Sequence, residues 1–248
     1  MSPVTQPDRA PPPRCPEGLR IYAVGDIHGR DDLLVRLHAR IREDAAARPG
    51  PQPVAVYVGD YIDRGAGSSR VIDLLLGEPL PGFVSIHLKG NHEDMMLNFL
   101  ERTPTLGWLL NGGIATMASY GVTASGLAIY FADLDRVQRD LRAAVPPAHS
   151  RFLRDLALMH IAGDYAFVHA GVRPGVDLDA QLPADLMWIR DKFLKSTKDF
   201  GKVIVHGHTI VDEPEVCANR IGIDTGAFAS HRLTCLVLEG SKRRFLRT

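Results

Sequence analysis

The stretch from Val54 to Gly65, VAVYVGDYIDRG, constrains the fold of this chain more than any other. It begins with five apolar or aromatic residues, a short run typical of a buried strand, and a glycine ends that run. Two carboxylates and a guanidinium, from Asp60, Asp63 and Arg64, follow in the next loop. Open α/β sheets bind ligands at the carboxyl edge of their strands, so this loop is a candidate site. Taken alone, it also suits an ordinary polar turn, because Asp and Gly are common turn residues.

The same design occurs twice more before residue 101. Leu19 to Val24 is a predicted strand that runs into GDIHG and then into an amphipathic helical pattern that begins at Asp31. Phe83 to Leu88 is a third predicted strand, which stops at KGNHE before another helix. Strand, Gly-containing polar loop and helix therefore alternate three times, which predicts an α/β fold.

The second half of the chain begins with a different pattern. Residues from about 103 to 160 predict a mostly helical insertion, which either forms a wall over the site or serves packing alone. Further strands are predicted at Tyr165 to Val168, before His169, and at Val203 to Val205, before His206 and His208. The last predicted strands lie near Glu215 to Ile223 and Leu233 to Leu238, and the basic ending is interpreted as a solvated tail.

Composition and charge bear mainly on partners and location. Lys+Arg and Asp+Glu number 29 each, so net charge favours neither a nucleic-acid partner nor a membrane surface. No apolar run approaches the roughly 18 residues of a membrane helix, and the N-terminus lacks signal-peptide order. The three cysteines form neither a disulfide framework nor a CxxC site, which predicts a reduced cytoplasm.

Residues 1–18 and 19–248 differ in composition, which gives the predicted domain organisation. The first segment is rich in proline and has little apolar surface to bury, so it is predicted to be a disordered tail. A polyproline docking ligand is the alternative interpretation of the tail. Residues 19–248 are predicted to form a single catalytic domain that contains the helical insertion.

The polar residues that follow the predicted strands share one chemistry, that of hard oxygen or imidazole ligands. They are Asp26, His28, Asp60, Asn91, His92, His169 and His208. This mixture without thiols suits Mn, Fe or Zn. A carboxylate between two groups of ligands can bridge two cations, and two cations about 3.5–4 Å apart are a known device for phosphate-ester hydrolysis. A single Asp or His at a strand end is more often a cap or turn residue, but five such clusters favour a site.

The motifs GDIHG, GDYIDRG and GNHE, the HAG at His169 and the GH at His208 resemble those of the phosphoprotein phosphatase family of metallophosphoesterases, in its bacterial serine/threonine phosphatase form. The resemblance covers nearly all of the chain from Leu19 to Leu238. It implies a four-layer fold, with two mixed β-sheets packed together and helices outside. It also implies two divalent cations, for which Mn²⁺ is the first choice and Fe or Zn the alternatives.

The resemblance assigns residues to roles. One metal would be held by Asp26, His28 and Asp60, and the second by Asp60, Asn91, His169 and His208. Arg64 and Arg190 match the arginines that grip phosphate, together with Asn91 and His92. His92 matches the general acid and Asp63 the carboxylate that orients it, and a metal-bridging hydroxide would attack phosphorus directly.

Two features depart from the family pattern. His206 competes with His208 for the ligand role, and His208 is preferred because the family ligand usually follows a small residue, here Gly207. The aromatic residue that eukaryotic members carry near the C-terminus has no clear match, since the corresponding stretch reads DTGAF and ends at Phe228.

Three functions remain open on this sequence. The preferred one is a serine/threonine protein phosphatase that can also accept phosphotyrosine. The main alternative is a symmetrical dinucleoside tetraphosphate hydrolase, a branch that typically has Ala in place of Asp63 and Asp in place of Glu93. A catalytically silent phosphopeptide-binding module is the third, and the complete ligand set argues against it. The sequence leaves the oligomeric state open.

Overall fold

The computed structural model describes residues 11–123 and 133–248, and two five-stranded mixed sheets dominate this part of the chain. The strands are β1 Leu19–Val24, β2 Gln52–Tyr57, β3 Val84–His87, β4 Met159–Ala162, β5 Tyr165–Val168, β6 Val203–His206, β7 Glu215–Val216, β8 Arg220–Gly222, β9 Thr234–Glu239 and β10 Lys242–Arg247. The first sheet has the order β10-β9-β1-β2-β3 and the second the order β4-β5-β6-β8-β7.

Helices flank the two sheets. They are α1 Asp31–Ala46, α2 Ser68–Leu76, α3 Asn91–Glu101, α4 Leu106–Trp108, α5 Ile114–Ser119, α6 Leu134–Ala144, α7 Pro147–Asp155, α8 Pro183–Trp188, α9 Asp191–Leu194 and α10 Ala227–Ser230. A π-helical turn, Leu109–Gly113, joins α4 to α5. None of the described helices is both long and apolar enough to cross a membrane. The cytoplasmic location stays a prediction.

Alternating side chains along the strands explain the four layers. In β1, Ile21 and Ala23 point into a core shared with β5, β6 and β9, while Tyr22 and Val24 face the helices that cover the first sheet. A third cluster, which includes Phe193 of α9, covers the outer face of the second sheet. The predicted four-layer sandwich is confirmed.

Parallel pairing brings the candidate loops together. β1, β2 and β3 run parallel in one sheet, and β5, β6 and β8 run parallel in the other. The loops that follow these strands therefore leave the carboxyl edge of each sheet, where the sequence analysis placed the site.

Several sequence-based boundaries were wrong. The basic ending is strand β10, which pairs with β9, rather than a solvated tail. The single strand predicted near Glu215 to Ile223 is two antiparallel strands, β7 and β8. The insertion is helical as far as Asp155, where α7 ends, and residues 124–132 of the insertion lie outside the described residues.

The Pro-rich leader is ordered at its end. Cys15 is only 3% exposed and joins the core between the sheets, and its N–H donates to the carbonyl of Gly240 at 2.8 Å. The N–H of Arg14 donates to the carboxylate of Asp164 at 2.8 Å. The predicted disorder is therefore wrong for this end of the segment, because one buried thiol and two backbone bonds attach it. Residues 1–10 lie outside the described residues.

Candidate metal centre and active site

The candidate residues lie on loops held in an uncommon backbone conformation. Positive φ values occur at His28 (47°), Asp60 (53°), Asp63 (73°), Arg64 (68°) and His208 (62°). These are five of the seven non-glycine residues with positive φ in the described part of the chain. Such conformations cost free energy and cluster at functional sites, so the fold sustains strain where the chemistry is predicted.

Glycine lets two of these loops approach closely. Gly59, which precedes Asp60, has φ 104°. A Cβ at this position would lie 2.6 Å from the backbone nitrogen of Gly90 and 3.0 Å from Nδ1 of His169. Any side chain at residue 59 would therefore push apart the loops that carry Asp60 and Asn91.

Two groups of metal-ligating side chains share Asp60. His28, Asp60 and His92 form one group, and Asp60, His169 and His208 form the other, with the ligand atoms of each group within 4.8 Å of one another. Oδ2 of Asp60 lies 3.4 Å from Nε2 of His28, and Oδ1 lies 3.4 Å from Nε2 of His169. Asp60 therefore has the position required of a bridging carboxylate.

Backbone carbonyls fix which nitrogen of two histidines faces Asp60. Nδ1–H of His28 donates to the carbonyl of Ile62, and Nδ1–H of His169 donates to that of Val58, each at 2.9 Å. Nε2 of each ring then carries a lone pair toward the site. Burial lowers the pKa of His28 to about 3 and also lowers that of His169. Both rings are therefore neutral, the form that binds metals.

Several buried atoms of the candidate residues lack a hydrogen-bond donor, as a cation site requires. Nε2 of His208 and Oδ1 of Asp26 are buried without a hydrogen-bond partner. Oδ1 of Asn91 faces Nε2 of His169 at 3.0 Å, so two acceptors meet. Buried acceptors that lack a donor are costly unless a cation satisfies them. The residues present therefore fit divalent cations.

Asp26 and His206 lie outside both groups of ligating side chains. Asp26 belongs to neither close group, but its Oδ2 accepts the N–H of His208 at 2.9 Å, so it borders the group that contains His208. His206 lies outside both groups, with its ring edge-on to Phe193 at 5.0 Å. The structure thus brings His208, not His206, to Asp60. The ligand roles of these residues stay predictions.

His92 is held by a buried carboxylate. Nδ1–H of His92 donates to Oδ2 of Asp63 at 2.7 Å, which leaves Nε2 3.8 Å from Oδ2 of Asp60 and 3.3 Å from Nη2 of Arg64. Burial lowers the pKa of His92, but Asp60 and Asp63 outweigh it, so the pKa is raised. Nε2 of His92 thus faces both a carboxylate and a guanidinium, and the role of His92 as proton donor stays a prediction.

Residues of the helical insertion hold the side chain of Asp63 in place, a role of the insertion that the sequence analysis did not predict. Nε1–H of Trp108 donates to Oδ2 of Asp63 at 2.9 Å, and the hydroxyl of Thr116 donates to Oδ1 at 2.6 Å. The hydroxyl of Ser68 accepts the N–H of Asp63 at 3.0 Å. Ser68 is the first residue of α2, which has no side-chain cap. The insertion therefore orients the His92–Asp63 pair.

Glu93 also positions a loop of the site. In the sequence analysis it served only to distinguish this chain from the dinucleoside tetraphosphate hydrolases, which typically have Asp in its place. Its Oε2 accepts the N–H groups of Asp60 and Gly90, each at 2.9 Å. Its Oε1 accepts those of Tyr61 at 2.8 Å and Ile62 at 3.4 Å. A single buried carboxylate thus holds the loop that presents Asp60 and ties it to the start of α3.

The two candidate phosphate-binding arginines are exposed and available to a ligand. The guanidinium of Arg64 lies over the ring of Phe228 at 4.6 Å, and Phe228 also meets His28 edge-on at 5.5 Å. Arg190 donates from Nη1 to the hydroxyl of Thr209 at 3.4 Å. The C-terminal stretch therefore supplies Phe228 to the site, a contact that the sequence analysis did not predict.

Comparison with known proteins agrees with this geometry. The family model described as Calcineurin-like phosphoesterase matches residues 19–231. The chain therefore belongs to the calcineurin-like phosphoesterase family, and the expected resemblance is confirmed. Membership makes it a phosphoester hydrolase of the metal-dependent class.

Similar proteins differ in the substrate that their names give. "Serine/threonine-protein phosphatase 2" of Escherichia coli is 30% identical over 226 residues, which cover 86% of this chain and 90% of that protein. An asymmetrical bis(5'-nucleosyl)-tetraphosphatase of Bacillus cereus is 26% identical, over 86% and 88% of the two chains. The solved structure of a cold-active protein tyrosine phosphatase mutant has a TM-score of 0.62, with 17% identity and coverage of 93% and 80%. This last likeness concerns the fold alone.

Proposed function

We propose that the protein is a serine/threonine phosphoprotein phosphatase that depends on two divalent cations, with Mn²⁺ as the preferred metal. The observation that carries the proposal is the buried 2.7 Å hydrogen bond between His92 and Asp63, beside Asp60 and Arg64. This pair provides an oriented proton donor at the place where a phosphate would sit. The same site would accept phosphotyrosine, whose leaving group is less demanding.

The need for a proton donor distinguishes the possible substrates. A serine alkoxide leaves only with a proton, so a general acid contributes strongly to its departure. A nucleotide leaves from a dinucleoside tetraphosphate as a phosphate whose second pKa is about 6, and it needs no such help at neutral pH. Trp108 and Thr116 hold the buried carboxylate of Asp63, which in turn holds His92. This arrangement supports a phosphomonoester of an alcohol as the substrate.

The remaining residues have complementary roles in this proposal. Asp26, His28 and Asp60 would hold one cation, and Asp60, Asn91, His169 and His208 the other. When bound, the cations supply Lewis acidity and lower the pKa of a water molecule. Arg64 and Arg190 present planar guanidinium groups, which can bind two phosphate oxygens at once. The phosphoryl group would pass directly to water, without a phosphorylated side chain.

A dinucleoside tetraphosphatase is the second candidate, because relatives of that name cover most of the chain. The two functions are separated by measuring kcat/KM with Mn²⁺ for a phosphoserine peptide and for diadenosine tetraphosphate. We expect the phosphopeptide to be the better substrate. A higher kcat/KM for the dinucleotide would support the second candidate instead.

A further inference from the structure

The turn Asn111-Gly112-Gly113 lies between α4 and α5, and the proposed function assigns it no role. It belongs to the π-helical turn that joins the two helices, where Gly112 has φ 110° and ψ −4° and so departs from helical geometry. The side-chain amide of Asn111 donates from Nδ2 to the carbonyl of Gly107 at 2.7 Å, which closes the turn. π-Helical turns are rare and frequently lie at functional sites, and both glycines of this one contact the candidate site.

Gly112 faces Arg64. Its carbonyl accepts the backbone N–H of Arg64 at 3.2 Å. A Cβ at residue 112 would lie 2.9 Å from both the backbone nitrogen and Cγ of Arg64, a separation that requires one of the neighbours to move. Arg64 itself has φ 68°, a conformation that persists only where the surrounding structure holds it. The contact with Gly112 therefore fixes where the side chain of Arg64 leaves the backbone.

Gly113 faces Trp108, which holds Asp63. A Cβ at residue 113 would lie 2.6 Å from Cε2 and 2.9 Å from Nε1 of the indole. Trp108 is only 3% exposed, and its Nε1–H donates to Oδ2 of Asp63 at 2.9 Å. Gly113 has φ −61° and ψ −22°, so alanine fits its backbone, and the indole is the group that would have to move. A glycine at residue 113 therefore lets the indole lie against Asp63.

We propose that this turn positions two neighbouring side chains separately, that of Arg64 through Gly112 and that of Asp63 through Gly113. The inference rests on the proposed function, in which Arg64 binds phosphate and Asp63 orients the proton donor His92. Gly112 then serves phosphate binding, and Gly113 serves proton donation. Both glycines are positioning residues, because each acts through another side chain.

A purely structural turn makes a different prediction. If the two glycines only allow the insertion to pack, replacing either one should lower stability, and any loss of turnover should be alike for both variants and both kinds of substrate. With separate positioning roles, the two variants differ in how their losses depend on the leaving group. Phosphate binding does not depend on the leaving group, whereas proton donation does.

Two alanine variants test the inference, each assayed with Mn²⁺ on a phosphoserine peptide and on p-nitrophenyl phosphate at matched metal occupancy. Gly112→Ala should lower kcat/KM for both substrates by the same factor. Gly113→Ala should lower kcat on the phosphopeptide distinctly more than on p-nitrophenyl phosphate. A displacement of about 1 Å can cost about 100-fold in rate, which is the size expected for the larger losses.

Gly121→Ala is the matched control for backbone strain. Gly121 has φ 79° and lies two residues after α5, and a Cβ there would meet no atom within 4 Å. Alanine at residue 121 therefore has an unfavourable backbone conformation, as it does at residue 112, but displaces no neighbour. Gly121→Ala should lower the Tm and leave kcat/KM for both substrates within a few-fold of wild type.

A double-mutant cycle tests whether Gly112 acts through Arg64. In the Arg64→Ala background the guanidinium is gone, so Gly112→Ala should cost distinctly less turnover than in wild type, whereas independent effects would multiply. Multiplying effects, or the same substrate dependence in Gly112→Ala and Gly113→Ala, would overturn the inference and leave the proposed function in place. If Arg64→Ala and His92→Asn themselves left both substrates unaffected, the proposed function would fail and the inference with it.

Discussion

Replacing Asp60 by asparagine should remove bound metal and activity together. The two carboxylate oxygens face His28 and His169, each at 3.4 Å, so one side chain would serve both proposed cation positions. A neutral amide is a poor bridge between two cations. Altering residues that merely support ligands costs about 10–100-fold in metal affinity, so we expect a loss of more than about 100-fold in kcat. Metal analysis of the purified variant, together with kcat on a phosphoserine peptide, measures both effects.

Two histidine variants control for damage to the fold. His206→Asn alters a buried ring next to the site but outside both ligand groups, and it should keep both ions. His208→Asn should lose metal, because His208 belongs to the group around Asp60. Near-normal metal content and turnover in Asp60→Asn would remove the bridging role. Metal loss in His206→Asn with retention in His208→Asn would reverse the assignment of the ligand.

His92→Asn should harm substrates in proportion to how much their leaving groups need a proton. General acid catalysis is typically worth about 10²–10⁴-fold, and a serine alkoxide is a very poor leaving group. The loss in kcat on a phosphoserine peptide should therefore fall in that range. The loss on p-nitrophenyl phosphate should be distinctly smaller, since p-nitrophenolate leaves without help. Both values of kcat are measured at matched metal occupancy.

Two variants separate proton donation from phosphate binding. Asp63→Asn should show the same substrate dependence more mildly, because Asp63 holds the ring of His92 and favours its charged form. Arg64→Ala should slow both substrates alike, because a lost grip on phosphate does not depend on the leaving group. An equal loss on both substrates in His92→Asn would exclude the acid role.

The sequence predicted the residues whose signal is local. An apolar strand, a glycine and then an acid or imidazole can be recognised within about ten residues, so Asp26, Asp60, Asn91 and His169 could be placed at the edge of a sheet. The alternation of strands and helices likewise predicted the layers. Gly59 marks a close approach of loops, and its place before Asp60 is visible in the sequence.

The residues that the sequence analysis missed contact partners that are distant in the sequence. Trp108 and Thr116 reach Asp63 over separations of 45 and 53 residues, and both could equally be core residues of a helix. Phe228 lies in α10, in a stretch that the pattern of strands left unassigned. Its partners, His28 and Arg64, lie far earlier in the chain, and tertiary contact alone reveals the pairing.

The C-terminal segment was mispredicted because its charges were taken to exclude a strand. Strand β10 reads KRRFLR, and its charges suggested a solvated tail. Edge strands commonly carry charged residues, which prevent further pairing, so charge does not exclude a strand there. In the structure, Arg244 forms an ion pair with Asp44 of α1 and Arg243 lies over the ring of Tyr165. Long side chains packed along their stems explain how a basic sequence can form part of a sheet.

In the proposed function, the side chains around Asp60 hydrolyse a phosphomonoester only when they hold two divalent cations. Removing metal with a chelator and adding back Mn²⁺ stepwise, while following phosphoserine peptide hydrolysis, tests it most directly. We predict no turnover in the metal-free protein and full recovery as the second equivalent binds. Turnover in the metal-free protein, or full recovery at one equivalent, would contradict the claim.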